Sequence, residues 1–168
     1  EKSLKIRSME VRDAVPIGVG DDMSWIVVVR LDFTDDQKAT YVVPLAAAFG
    51  DAVEELSDEF HWTIMANLKN SEGGGVLFDG VYSAGFRENM LEALVSQKKL
   101  KGEKGAVQIN RGRSLRRMPT VAETAQNSRV LKAEQSNSSI LYREAFFFKL
   151  YRKLEPGVNP DIELLQHL

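Results

Sequence analysis

A succession of β-branched and aromatic runs cut by short polar turns governs what the first half of this chain can become. Ser8–Ile17, then Trp25–Phe33 with Ile26, Val27, Val28 and Val29 at its centre, then Ala39–Leu45 all read as strands. The breaks are brief. Gly18, Gly20, Asp21 and Asp22 supply the first and Thr34, Asp35 and Asp36 the second, so an antiparallel meander is more economical than crossover connections. Such a sheet needs one face covered. Phe86, Met90, Leu91 and Leu94 recur at helical spacing within Phe86–Lys99, which makes that segment the expected cover. A second helix is expected over Asp51–Phe60. Trp62–Leu68 and Val76–Tyr82 read as two further strands, joined through Gly73, Gly74 and Gly75 as a mobile turn.

Composition turns polar from Gly102 to Ser128, where Pro119, Thr120, Thr124, Asn127 and Ser128 mark a connector. The chain therefore divides into residues 1–115, a connector at 116–128, and residues 129–168. In the last part Arg129–Ala133 and Ile140–Tyr142 read as strands bracketing the polar run Glu134–Ser139. Ala145–Tyr151 is a third strand, and Glu155, Pro156 and Gly157 form a turn after it. Asn159, Pro160 and Asp161 then open a helix: a capping residue, a proline at the first helical position, and an acid where the helix dipole favours one. Ile162, Leu165 and Leu168 give that helix an apolar stripe. The fold class implied is α+β.

The totals exclude several chemistries. The 168 residues contain no cysteine, which removes disulfides, thiolate zinc sites and cysteine nucleophiles. His61 and His167 alone cannot build a histidine-rich metal centre, and His61 reads as a structural side chain. No apolar run approaches the roughly 18 residues of a membrane span, and no signal-peptide core is visible, so the cytoplasm is the default. The chain starts without methionine and stops inside an expected helix, which reads as a piece of something larger. Lys98, Lys99, Lys101, Lys104, Arg111, Arg113, Arg116 and Arg117 form a basic stretch, but the net charge of -2 favours a solvated face over nucleic-acid binding. Trp25, Trp62, Phe78 and Tyr82 read as core ahead of a sugar-stacking platform. The acids Asp51, Glu54, Glu55, Asp58 and Glu59 fit an exposed helix face.

The chemistry, where there is any, centres on Lys149. Strand alternation puts Phe147, Lys149 and Tyr151 on one face and Phe146, Phe148 and Leu150 on the other. A lysine in so apolar a strand either has an anionic partner or lies at an edge, its stem on apolar surface and its head in water. The order strand, short polar loop, strand with a lysine, helix with a glutamate is that of the small lobe of a protein-kinase-like fold, with Lys149 and Glu163 as the pair. Gln135, Ser136, Asn137, Ser138 and Ser139 could cover phosphates with N–H groups and hydroxyls. Lacking glycines, they fit an ordinary serine-rich hairpin turn as well.

The runs Glu134-Gln135-Ser136-Asn137-Ser138-Ser139-Ile140 and Phe148-Lys149-Leu150-Tyr151-Arg152-Lys153-Leu154-Glu155-Pro156-Gly157-Val158-Asn159-Pro160-Asp161-Ile162-Glu163 resemble the signature of the maltokinase family. The likeness is specific over about residues 130–168. It is weaker earlier, where strands ending in Tyr41-Val42-Val43-Pro44-Leu45 look like that family's N-terminal cap. The resemblance implies an antiparallel cap subdomain followed by part of a kinase-like N-lobe. It implies an intact parent that uses ATP and magnesium to phosphorylate maltose in trehalose and α-glucan metabolism, often fused to trehalose synthase. It also implies that Lys149 holds nucleotide phosphates, Glu163 orients Lys149, residues 135–139 cover the phosphates, and Phe147 lines the adenine pocket. No catalytic loop or metal motif of that family is present, so no catalytic or metal-binding residue is assigned. This stretch alone is expected to be inactive and without bound cofactor. The alternative is a non-catalytic interaction or regulatory module of a trehalose synthase fusion.

Overall fold

The β-branched N-terminal runs become long paired strands. In the computed structural model, which describes residues 5–70, 73–109, 121–131, 136–144, 146–157 and 159, they form β1 (Ile6–Ile17), β2 (Ser24–Phe33) and β3 (Lys38–Phe49) of an antiparallel meander. There follow α1 (Asp51–Phe60), β4 (Ile64–Asn70) and β5 (Gly73–Asp79). β5 pairs with the far half of β3, so the sheet runs β1-β2-β3-β5-β4. The chain is α+β: antiparallel sheets with a few helices packed on them.

One expectation is overturned at the triple glycine. Gly73, Gly74 and Gly75 are not a turn but the first half of β5, and Gly75 stands opposite Phe49 of β3. The physical reason is close packing. A Cβ on Gly75 would overlap the Phe49 ring and come within 2.7 Å of the Ala48 carbonyl oxygen. Glycine is thus needed in the strand for the space that it leaves, with the aromatic ring of the neighbouring strand filling it.

α2 (Ala84–Ser96) covers the sheet as its periodicity requires, with Phe86, Met90, Leu91 and Ala93 buried. It starts at Ser83, whose Oγ accepts the Phe86 N–H at 3.2 Å. It stops at Gln97, which takes the left-handed conformation with φ of 52°. Its apolar stripe meets Val15, Ile17 and Ile26 of the sheet in the main core. Full burial of side chains of this size stabilises by about 1.5–3 kcal/mol each. α1 lies over a smaller cluster, where Val53 and Leu56 pack against Ala46, Ala48, Val76 and Phe78.

Beyond α2 come β6 (Leu100–Lys101) and β7 (Ala106–Val107), a small hairpin. The stretch read as a connector includes a helix, α3 (Val121–Gln126). β8 (Ser128–Val130), β9 (Asn137–Tyr142) and β10 (Phe146–Tyr151) make a second antiparallel sheet in the order β10-β9-β8. β11 (Lys153–Leu154) then returns to the first sheet, pairing with Tyr41 and Thr40 of β3. Ile140 and Tyr142 of β9 belong to the same buried cluster as Phe86 and Ile17, so both sheets share one core. The opposite face of the first sheet carries an apolar groove of about 550 Å³, lined by Val27, Val29, Tyr41 and Val43 and edged by exposed Met9 and Val11. Among the described residues no helix is long and apolar enough to cross a membrane.

Candidate functional site

Lys149 sits where two-residue alternation puts it, on the face of the second sheet turned away from the core. On the inner face Ser138, Ile140 and Tyr142 of β9 are buried, and Phe146, Phe148 and Leu150 of β10 pack against the main cluster. The outer face pairs Phe147 with Leu141, Lys149 with Ser139, and Tyr151 with Asn137. Phe147 is 59% exposed there. Lys149 is half-buried, and its Nζ lies 5.0 Å from the centroid of the Tyr151 ring, a cation–π contact on the sheet surface. An ammonium, a hydroxyl at Ser139 and an apolar ring at Phe147 thus share one accessible surface.

The remaining expected site residues are distributed differently. Glu163 and Gln135 lie outside the described residues, so the Lys149–Glu163 pairing is not among the contacts seen. Ser136 occupies the turn entering β9, where its carbonyl oxygen accepts the Arg152 N–H at 2.9 Å. Asn137, Ser138 and Ser139 are strand and not phosphate-covering loop, which corrects the reading of 135–139 as one loop. The ladder explains the difference. The Ser139 carbonyl accepts the Leu131 N–H at 2.9 Å, and Ser138 turns inward, its Oγ accepting the Arg152 Nε–H at 2.8 Å. A serine can occupy a buried strand position when its hydroxyl is satisfied in this way. Ser138 and Lys149 therefore face opposite sides of the sheet, while Ser139 and Lys149 face the same side.

Two arginines that sequence reasoning gave no role tie this sheet to the rest of the chain, one to the first sheet and one to α2. Arg152 follows β10 directly. Its guanidinium bonds Ser138 and also forms a 2.5 Å ion pair with Asp79, and its carbonyl accepts the Val42 N–H at 2.7 Å. The second, Arg87 of α2, donates from Nε to Ser128 Oγ at 2.8 Å and from its terminal nitrogen to the Val81 carbonyl at 3.0 Å. Tyr142 donates its hydroxyl proton to the Arg87 carbonyl at 2.8 Å. Burial raises the Tyr142 pKa far above the ordinary phenol range, against the opposing pull of the nearby Arg87 charge. Burial likewise lowers the pKa of Arg87, against the raising effect of Tyr142. No spacing in the sequence announces the pairings of Arg152 with Ser138 and Asp79, of Arg87 with Ser128 and of Tyr142 with Arg87, because these partners are 14 to 73 residues apart.

The other candidates resolve into surface and core. Phe78 is buried, but Trp62 is 62% exposed, because it lies in the tight helical turn His61–Thr63 ahead of β4 and not in a strand. Trp62 meets Phe60 and His61 edge-on, at 5.8 and 5.2 Å between ring centroids, and Tyr82 lies 5.3 Å from Phe60. Lys98, Lys99, Lys101 and Lys104 of the basic stretch are exposed, as a solvated face requires. Its four arginines lie outside the described residues. No group of three or more histidine, aspartate or glutamate side chains that could hold a metal occurs among the described residues. No protein-family model matches the chain.

Proposed function

We propose that this chain is the N-terminal, nucleotide-holding part of an ATP-dependent maltose kinase, with Lys149 as the residue that contacts the nucleotide phosphates. The observation that carries the reading is the outward Lys149, flanked by Ser139 and Phe147 on a face whose reverse side is sealed by the core. An ammonium carried on the outer face of an apolar strand suits a phosphate oxygen, while Phe147 offers flat apolar surface to a base. The donor set fits the phosphate and base portions of ATP. It offers no carboxylate cluster for magnesium among the described residues, so no metal ligand and no catalytic base is assigned to them. When bound, ATP supplies the phosphoryl group; this chain's residues bind and orient it.

Nucleotide binding by the chain itself goes beyond the expectation of a stretch without bound cofactor, and titrating the chain with Mg·ATP in a calorimeter tests it. Binding that Lys149→Ala weakens about 10-fold or more, with an unchanged melting temperature, is the expected result. In a turnover-competent maltose kinase containing this segment, the same substitution should lower turnover ~100-fold. Wild-type affinity in the variant would reduce Lys149 to a structural role. A second reading, an interaction or regulatory module of a trehalose synthase fusion, is favoured by the apolar groove edged by Met9 and Val11. Sedimentation of the chain with purified trehalose synthase tests it, and independent sedimentation of the two counts against it.

A further inference from the structure

We infer that Arg152 is the positioning residue for Lys149: it pins the end of β10 to β9 and to the cap and so holds the outward lysine in its place. The inference rests on the reading of Lys149 as a phosphate contact and adds the device that holds it. Arg152 stands where the chain leaves the second sheet, one residue after β10, and enters the first sheet as β11. Its N–H bonds Ser136 in the turn entering β9, and its guanidinium bonds Ser138 of β9. Its carbonyl and guanidinium bond the cap, at Val42 of β3 and Asp79 of β5. The ion pair is largely shielded, with Arg152 at 19% and Asp79 at 15% side-chain exposure. Asp79 is itself held, since its other carboxylate oxygen accepts the Val81 N–H at 3.2 Å.

Register is the quantity at stake. Because side chains alternate with a period of two, a slip of one residue between β9 and β10 would turn Lys149 into the core and Phe148 out of it. Burial of Ile140 and Tyr142 resists such a slip from the inner face of β9, and Arg152 adds a polar anchor at the end of β10 nearest Lys149. A guanidinium that bonds one β9 hydroxyl and one cap carboxylate reinforces that register, because displacement of β9 breaks the Ser138 bond while Asp79 holds the arginine in place. Lysine at position 152 would keep the charge but cannot reproduce the fork. The cap thereby sets the geometry of the nucleotide face without touching the nucleotide.

The test uses the whole chain with Arg152→Lys and, separately, Asp79→Asn, each studied at a temperature where its circular dichroism and cooperative melt show it folded. Two readouts are taken: the acylation rate of Lys149 relative to the other lysines, by mass spectrometry, and the Kd for Mg·ATP. Both variants should change the relative acylation rate of Lys149 by roughly 3-fold or more and weaken Mg·ATP by a similar factor. With Lys149→Met already present, Arg152→Lys should weaken Mg·ATP no further, whereas a merely structural arginine would add its effect. Wild-type acylation of Lys149 in both folded variants overturns the inference. Altered acylation with no Mg·ATP binding by any form, wild type included, supports the positioning role and instead removes the nucleotide reading.

Discussion

Asp13 shows how one side chain can organise a turn distant in sequence. Its carboxylate accepts the Lys104 N–H at 3.1 Å and the Ala14 N–H at 2.9 Å, and so ties β1 to the hairpin β6–β7. Gly102 and Gly105 make room for it, since a Cβ at either would approach its carboxylate oxygens to 2.6 and 2.9 Å. The Lys104 N–H, the largest influence, with smaller help from those of Ala14, Glu103 and Gly105, holds the Asp13 pKa below the usual 3.8 against the opposing effect of desolvation, which ranks second. A depressed folded pKa contributes stability that is present above the unfolded value and is lost as pH falls through the folded one. Asp13→Asn should therefore lose stability at neutral pH and flatten the acid limb of the melting-temperature profile below about pH 4. An acid limb as steep as wild type would show that Asp13 is not the group responsible. At Gly75 the expected outcome of Gly75→Ala is a loss of about 1–3 kcal/mol in urea unfolding, because the Phe49 ring can swing aside but the Ala48 carbonyl cannot.

Among the elements, α2 is capped at both ends, by Ser83 at its start and by left-handed Gln97 at its stop. Ser83 supplies the capping oxygen in the extended conformation such a position requires. Ser83→Ala should lower stability by about 1 kcal/mol, and Ser83→Asp should restore most of it. Chemical denaturation of the two variants checks the pair, and equal losses would mean that packing and not capping is at work. β10 shows the complementary case, since its alternation alone makes one face apolar and core-bound and the other the face of Lys149. Its edge is not left open at the end: Arg152 and β11 carry the chain straight into the first sheet.

Over the whole molecule, the shared core means that the two sheets should unfold together. Ile140 is fully buried between them, so Ile140→Ala should cost about 2–5 kcal/mol while leaving a single calorimetric transition. Two separated transitions in the variant or the wild type would show instead that the sheets are independent units. Arg87 and Arg152 reinforce the union from opposite ends of β9, one near Tyr142 and the other at Ser138.

The local elements were legible in the residues: the meander β1–β3, both long helices and the alternation in β10 all follow from periodicity, which is a property of neighbours in the chain. The identity of the face bearing Lys149 was legible too, since alternation alone separates it from Phe148. Pairings between distant residues were not legible. Gly75 is a strand residue because Phe49 lies against it, Ser138 is a core residue because Arg152 satisfies it, and Asp13 is a capping residue because Gly102 and Gly105 leave it space. Periodicity records which side of its own element a side chain occupies; only the packed chain decides which distant group meets it there, because that meeting depends on long-range register and close contact.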